Sequence, residues 1–386
     1  MDRAYLVAAD TRGALLPAGQ SLAELAELAR TAGAEVVGST TQRLDHPVAA
    51  TYIGRGKVEE VTETAKALGA NVVIFDDELA PSQQRNLEAA LGVKVIDRTA
   101  LILDIFATRA RTREGRLQVG LAQMQYLLPR LAGQWSHLER MEGAIGTRGP
   151  GETQIETDRR LIRSRISKIK RDLEEVRTQR ALYRRRRERN GVPVVALVGY
   201  TNAGKSTLMR ALSGADVLAE DKLFATLDPV TRRLRLLTGE TVLLTDTVGF
   251  IQKLSTNLVA AFRATLEELA EADLLLHVID ISHANAFEQT QAVDSTLADL
   301  GVLERPRLLA LNKVDLLRDD GGNAVADFDE ARALIHGAGA PPGNVVLVSA
   351  ARRWGLEMLL TRIADALDGG VEQMDASPPG LFTRVV

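Results

Sequence analysis

The chain has 386 residues, of which 45% are hydrophobic and 26% charged, with a formal net charge of −3; that size accommodates two or three domains with cores of their own. It contains no cysteine and five scattered histidines, which excludes disulfide frameworks and thiolate metal sites and fits a reducing compartment. The first residues, MDRAYLVAADTRG, lack the apolar stretch of a signal peptide, and no segment is long enough to span a bilayer, so a cytoplasmic protein is expected, with peripheral membrane association left open.

AYLVAAD and EVVGSTTQ read as strands, with an amphipathic helix over SLAELAELARTAG between them. GKVEEVTETAKALG is a helical pattern, NVVIFDD a buried strand, APSQQRNLEAALG a helix and VKVIDR a strand. Short apolar runs alternating with helices predict a small parallel α/β domain over residues 1–98.

Residues 99–190 read as helical. Leu117, Leu121, Met124, Leu128 and Leu131 are spaced 4, 3, 4, 3, and Ile162, Ile166, Ile169, Leu173 and Val176 repeat that spacing. Each is a coiled-coil seam, so an antiparallel two-helix hairpin is expected. Its tip is the stretch from about Ala132 to Ile155, and Thr157 or Asp158 is placed to start the second helix. Within that tip GAIGTRGPGETQIETDRR is rich in glycine but has no Lys after its glycines, so it is not a phosphate-binding loop.

From residue 191 to 368 the pattern returns to α/β. VPVVALVG, TVLLTDT, DLLLHVID, RLLALN and VVLVSA are strands, separated by helical segments such as KSTLMRALSG and LVAAFRATLEELAEA. A doubly wound sheet with nucleotide chemistry at its strand ends is predicted, followed by an irregular tail over 369–386.

Gly199–Ser206, GYTNAGKS, is a complete phosphate-binding loop between a buried strand and a helix, the context the motif requires. Gly199 and Gly204 allow the backbone from Tyr200, Thr201, Asn202 and Ala203 to wrap phosphates, with Thr207 next along the helix. Lys205 meets the β- and γ-phosphate charge, and the Ser206 hydroxyl ligates magnesium. The competing reading, a chance glycine loop, does not account for three further elements downstream in the expected order. DTVG (Asp246, Thr247, Val248, Gly249) ends a strand and resembles the magnesium-side motif of GTPases, which implies that Asp246 reaches the metal through water and that the Gly249 amide senses the γ-phosphate. NKVD (Asn312, Lys313, Val314, Asp315) supplies a carboxylate that accepts from both nitrogen donors of guanine, and Ser349 and Ala350 support the base. The set resembles the translation-factor class of P-loop GTPases. In that pattern the segment Phe224, Ala225, Thr226, Leu227, Asp228 carries the switch threonine, Thr226. The implied catalytic residues are Lys205, Thr226 and Gly249, with Ser206, Thr226 and Asp246 on Mg2+. Where the best-known GTPases place a water-orienting Gln after this motif, the chain has Phe250. Either intrinsic hydrolysis is slow without a partner, or Phe250 is a core residue and catalysis is organised elsewhere.

RTREGRLQVGLAQMQYLLPRL, IGTRGPGETQIETDRR, GYTNAGKSTL, LFATLDP, DTVGFI and, in the first domain, YIGRGKVEE together resemble the HflX family of ribosome-associated GTPases over nearly the whole chain. The resemblance implies a GTPase, monomeric, that acts with GTP and GDP on the large ribosomal subunit and its ribosomal RNA, splitting or rescuing ribosomes, through its N-terminal domain and hairpin. The residues favour an RNA partner independently. Arg159, Arg160, Arg163, Arg165, Lys168, Lys170 and Arg171 precede the unbroken run Arg184, Arg185, Arg186, Arg187, and Arg148 sits in the tip loop. Such a stripe suits phosphate backbones; the alternative is a solvated helix face paired with Glu174, Glu175 and Glu188. YIGRGK (Tyr52–Lys57) precedes a helix and could hold an anion, but no Ser or Thr follows its Lys, so a turn or RNA contact is expected over an ATP site. Two other functions stay open at this point: an ATP-driven RNA remodeller using the N-terminal domain, and a regulatory scaffold stabilised by nucleotide.

Overall fold

The computed structural model describes residues 1–11, 16–131, 150–189, 191–214, 223–253, 258, 269–319, 321–336 and 343–369. The chain divides into two units, one of Met1–Gln179 with Lys253–Ala261, the other of Arg180–Gln252 with Phe262–Val386.

The first unit opens with β1 (Arg3–Thr11), α1 (Ala18–Thr31), β2 (Glu35–Leu44), α2 (Arg55–Ala67), β3 (Val72–Phe75), α3 (Pro81–Leu91) and β4 (Lys94–Asp97). The strands pair in parallel in the order β2-β1-β3-β4, as the alternation of short apolar strands and helices predicts. Tyr5, Val7, Val73, Phe75 and Val95 of the sheet pack with Val58, Val61 and Leu87 of the covering helices. Polar residues are concentrated at the carboxyl end of β3. Asp76 is fully buried and accepts from Ser21 Oγ (2.6 Å) and Arg98 Nη1 (2.7 Å). Lys253, a member of this unit, lies against Asp76 and 2.7 Å from Asp77. Buried charges persist only when paired in this way.

The helical region begins earlier than the heptad stripe suggests. An additional helix, α4 (Arg98–Arg109), is capped by Asp97, whose carboxylate accepts from Ala100 N, and packs on α1 and β4. It is followed by α5 (Arg113–Leu127), capped by Thr112. The buried face of α5 carries Gly115, Gln118, Val119, Ala122 and Tyr126, while Leu117, Met124 and Leu128 are only partly covered. The α5 helix thus serves two surfaces, because α4 takes the face that a free hairpin would leave open. The long helix α6 (Pro150–Arg189) carries the second seam, with Ile162, Ile166, Ile169, Leu173 and Val176 half-buried between exposed neighbours. A side chain on Gly120 would stand 3.9 Å from Ile169 Cδ1, so the two helices meet there. Pro150–Ile155, expected in the tip loop, is already helical, which places Thr157 and Asp158 inside the helix rather than at its start. A proline in the first turn is compatible with this, since its missing amide has no intrahelical partner there anyway. The rest of the tip, including Arg148, lies outside the described residues.

The second unit holds a six-stranded sheet: β5 (Val194–Val198), β6 (Val230–Arg235), β7 (Thr241–Asp246), β8 (Leu274–Asp280), β9 (Arg307–Asn312) and β10 (Val345–Leu347). Its order is β10-β9-β8-β5-β7-β6, parallel except for the antiparallel edge pair β6–β7. α7 (Lys205–Ser213) follows β5, α8 (Ala286–Asp299) follows β8, and α9 (Phe328–His336) and α10 (Leu356–Leu367) flank β10. The strand order reverses at β5, so the carboxyl ends of β5, β7 and β9 meet at a topological switch point, where ligands bind in such sheets. Among the described residues, no helix is long and apolar enough to cross a membrane.

Candidate nucleotide site

The turn from β5 into α7 is the phosphate-binding loop. Its last residue, Gly204, has φ +95°, and a β-carbon there would lie 2.3 Å from Asn312 Nδ2. Only glycine permits both that backbone and that approach. The approach is used: Asn312 Nδ2 donates to Ala203 O (2.8 Å) while its Oδ1 accepts from Ala350 N (3.0 Å). One amide side chain at the end of β9 therefore ties the phosphate loop to the Ser349–Ala350 turn. Ser349 is fully buried and accepts from Arg352 N, which fixes that turn.

Two clefts open from this framework. The first is bordered by Thr201, Lys205, Ser206, Thr226, Thr247 and Gly249, with Phe224 and Ala225 on its rim. The second is bordered by Asn312, Lys313, Asp315 and Ala350; Asn202, Gly204 and Thr207 belong to both. The structure thus brings together residues from loops far apart in sequence. Other expected residues support the walls from behind. Ala203, Leu227, Val248 and Val314 are buried, and Tyr200 is 4% exposed beneath the loop. Asp228 is half-buried beyond the switch threonine. Three residues that the motifs did not single out, Arg210, Leu316 and Ala351, also line the second cleft. Arg210 lies one turn beyond Thr207 on α7, so helical spacing from the motif could have found it.

The polar geometry of the first cleft is compact. Ser206 Oγ donates to Asp246 Oδ2 at 2.7 Å, Thr226 Oγ1 donates to the same oxygen at 2.9 Å, and the two hydroxyls are 2.9 Å apart. Asp246 Oδ1 is buried with no partner. Burial pushes the Asp246 carboxyl upward, against the pull of Lys205 and both hydroxyls. Lys205 Nζ donates to Gly199 O (3.0 Å) and Tyr200 O (2.7 Å), and burial lowers its pKa to about 8 while Asp246 opposes the shift. Phe224 N donates to Thr201 Oγ1 (3.2 Å), tying its segment to the loop, and Thr247 Oγ1 donates to Leu197 O (2.6 Å), tying the end of β7 to β5. In the second cleft Lys313, at φ +63°, pairs with Asp280 Oδ2 at 2.7 Å, and Asp280 Oδ1 also accepts from Ser282. Phe250 is 1% exposed, packed in the core.

His277 of β8 is 1% exposed, and its Nδ1 has no partner. Burial, then the nearby charges of Arg307 and Lys205, lower its pKa to about 3. The folded protein thus keeps it neutral where the unfolded chain takes up a proton near pH 6.5. Its contribution is complete above that pH and is lost as pH falls toward 3. Between pH 7 and pH 5 the loss is expected to be about 2 kcal/mol. His277→Leu should flatten the pH dependence of the unfolding free energy by that amount, and denaturant titrations of both proteins at the two pH values measure it.

On α6, Arg160, Arg163, Arg165, Lys168, Lys170 and Arg171 are exposed and Arg159 is half-exposed. Among the described residues Arg177 pairs with Glu174, whereas Arg160, Arg163 and Arg165 make no ion pair. Arg184, Arg185, Arg186 and Arg187 fall on the helix, with side chains outside the described residues. The YIGRGK segment is already occupied by the protein's own groups. The Gly54 amide donates to Gln42 Oε1 (2.9 Å), and Lys57 Nζ donates to Glu60 Oε1 (2.8 Å) and Thr40 Oγ1 (3.3 Å). It is a turn that starts α2, and the ATP alternative gains no support from it.

Comparison with known proteins agrees with this geometry. Residues 19–107, 109–187 and 194–313 match family models described as GTP-binding GTPase N-terminal, GTP-binding GTPase Middle Region and 50S ribosome-binding GTPase. The chain is 57% identical over 298 residues to the GTPase HflX of Caldanaerobacter subterraneus subsp. tengcongensis, covering 77% of this chain and 70% of that one. To the GTPase HflX of Escherichia coli (strain K12) it is 48% identical over 355 residues, 92% of this chain and 80% of the relative. A solved GTP-binding protein from Sulfolobus solfataricus in complex with GDP aligns with 96% of this chain and 99% of its own at 24% identity, with a TM-score of 0.47. With the GYTNAGKS, DTVG and NKVD segments assembled at one switch point, and relatives of this identity along most of its length, the chain belongs to the HflX family of GTPases and hydrolyses GTP.

Proposed function

We propose that this GTPase works on the large ribosomal subunit, contacting ribosomal RNA through its helical region and using GTP to drive subunit separation or rescue. The observation that carries the reading is the exposure of Arg160, Arg163 and Arg165 on α6, which make no ion pair among the described residues, continued in sequence by Arg184–Arg187. Unpaired arginines on a helix face neutralise phosphates and release counterions. In this reading residues 1–98 and the hairpin 99–190 face the ribosome, 191–368 form the nucleotide-binding domain, and the protein acts as a cytoplasmic monomer.

GTP sits with its phosphates in the first cleft and its base in the second, where Asp315 accepts from the guanine edge. A Mg2+ ion fits the donor set. Ser206, Thr226 and Asp246 converge on one point, and the buried, unpartnered Asp246 Oδ1 is an oxygen that a hard cation suits. No three His, Cys, Asp or Glu side chains cluster as a metal site among the described residues, in keeping with a cation shared between protein and phosphate oxygens. The ion would neutralise charge on the β- and γ-phosphates. Lys205 offsets the same charge from the loop side, and Thr226 brings the switch segment to the reacting end.

With Phe250 packed in the core, residue 250 does not align the attacking water. Hydrolysis is expected to be slow alone and raised by large subunits. The stimulation should fall steeply with salt, whereas the basal rate, set inside the cleft, changes little. Arg160→Ala with Arg163→Ala should lower the salt slope of subunit binding by about one to two and leave GDP affinity unchanged. Hydrolysis with and without subunits at two salt concentrations, alongside gradient sedimentation, tests this; equal rates in all four conditions would remove the ribosome as activator.

A further inference from the structure

The second unit carries arginines of its own on the edge strand β6, VTRRLR. Val230 and Leu234 turn toward the core with Val242 and Leu244 of β7, on the side that α7 covers. Arg232, Arg233 and Arg235 are all exposed. Successive side chains of a strand point to opposite faces. Arg232 therefore leaves on the face of Val230 and Leu234, and Arg233 and Arg235 leave on the other. Among the described residues none of the three forms an ion pair. Arg232 Nη1 donates only to the neighbouring carbonyl, Thr231 O, at 3.4 Å. Glu240, the acidic residue of the adjoining turn, faces Thr238 Oγ1 at 3.4 Å instead.

These cations stand on a firm backbone. β6 and β7 form an antiparallel ribbon at the end of the sheet, closed by Leu236 N to Glu240 O (2.8 Å) and Gly239 N to Leu236 O (3.0 Å). Because β6 pairs on one side only, alternate amides face outward, away from β7. Positive charge on both faces of an edge, with open amides between, suits an anion that arrives from two sides. The minor groove of an RNA helix is such a partner: wide and shallow, with 2′-hydroxyls on its floor and a phosphate backbone along each wall. Main-chain amides and arginines are ordinary donors to such phosphates. An added peptide strand fits less well, since charged side chains along an edge oppose strand addition.

We propose that the β6 edge is an RNA-docking surface of the nucleotide-binding domain, on which Arg232, Arg233 and Arg235 hold the phosphate backbone of double-helical RNA. The inference rests on the ribosomal reading of the protein and adds a contact independent of the α6 arginines. The plainer explanation is a solvated edge whose charges merely guard against unwanted pairing. The two differ in what neutralisation does. Replacing all three arginines by Gln removes three phosphate contacts, so the salt slope of RNA binding should fall by about two to three. Between 50 and 200 mM salt that is roughly a 20- to 40-fold difference in how far affinity drops. Replacing them by Lys keeps the charge and should restore the slope. A guarding role moves neither.

The experiment measures binding of the full chain to purified large subunits, and to their RNA stripped of protein, across a salt series. The natural protein is compared with the Arg232→Gln, Arg233→Gln, Arg235→Gln triple variant and its Lys counterpart. The expected result is a lowered slope with Gln on both ligands, a restored slope with Lys, and unchanged GDP affinity and basal hydrolysis in both variants. Equal slopes in all three proteins overturn the β6 contact and leave the α6 reading standing. A slope change on intact subunits that vanishes on the stripped RNA assigns the edge to a ribosomal protein and overturns the RNA contact. A natural protein that binds neither ligand overturns the ribosomal reading and this inference with it. Arginine modification of the natural protein, read by mass spectrometry, decides if the Gln variant does not fold. Arg232, Arg233 and Arg235 should be protected by subunits, and equal modification with and without them overturns the proposal.

Discussion

Lys205→Ala is expected to reduce GTP turnover by at least ~10²–10³-fold, the loss that accompanies removal of one aimed donor from charge developing in a transition state. Lys205 is the cation of the phosphate loop, and Gly199 and Tyr200 already hold its ammonium in place. The folded protein should survive the change. The lysine is 6% exposed and burial depresses its pKa to about 8, so in the nucleotide-free protein its charge opposes folding at neutral pH. A group whose folded pKa is lowered below its unfolded value of about 10.4 binds protons better when unfolded, and folding strengthens as pH rises from 8 toward that value. Truncation removes this cost. The nucleotide-free variant should therefore melt at the same temperature as the natural protein or above it, yet be inactive. Ser206→Ala should also lose turnover, because it withdraws a hydroxyl from the Asp246–Thr226 cluster. Thermal unfolding and multiple-turnover hydrolysis, measured side by side, separate a chemical loss from a folding loss. Undiminished turnover by Lys205→Ala would sink the assignment of the cleft.

The candidate nucleotide site is legible in the sequence because its parts are local. A buried strand, a glycine turn and a helix stand next to one another in GYTNAGKS, and each downstream motif ends a strand of its own. What joins them is not legible. Nothing in the sequence says that Asn312 bonds both Ala203 and Ala350, since that depends on β9 being two strands from β5. Strand β6 escapes sequence reading for a physical reason. Of VTRRLR only Leu234 is buried, so an antiparallel edge strand facing solvent carries almost no apolar alternation. The heptad seam matches the burial of α6, where one face meets a partner, and only partly that of α5. There Gln118, Ala122 and Tyr126 are also buried, and α5 packs on α4, tertiary packing that a heptad count does not contain. The start of α6 is misplaced by composition, because GPGE reads as a loop, whereas a proline opening a helix needs only the missing donor that the first turn can spare.

Asp315→Asn is expected to lower affinity for GTP about a hundredfold and to raise it for xanthosine triphosphate. The carboxylate only accepts; the amide presents a donor where guanine also has donors, and a two-point contact of this kind is worth a few kcal/mol. The structure gives the substitution a rigid setting. Asp315 lies in a one-turn helix, Val314–Leu316, directly after β9. That turn is fastened by Leu316 N to Lys313 O (3.0 Å) and Leu317 N to Val314 O (3.3 Å). Lys313 before it is held in a left-handed conformation and pinned by Asp280. The backbone at 315 therefore has little room to shift away from a wrong donor, and most of the cost of mismatch should appear in the affinity. Because the phosphate loop is untouched, the variant should hydrolyse xanthosine triphosphate at the rate the natural protein hydrolyses GTP, once both are saturating. Two results would count against this. Unchanged GTP affinity would move the base away from Asp315, and loss of both nucleotides together would mean that the turn, rather than the hydrogen-bond pattern, had been broken.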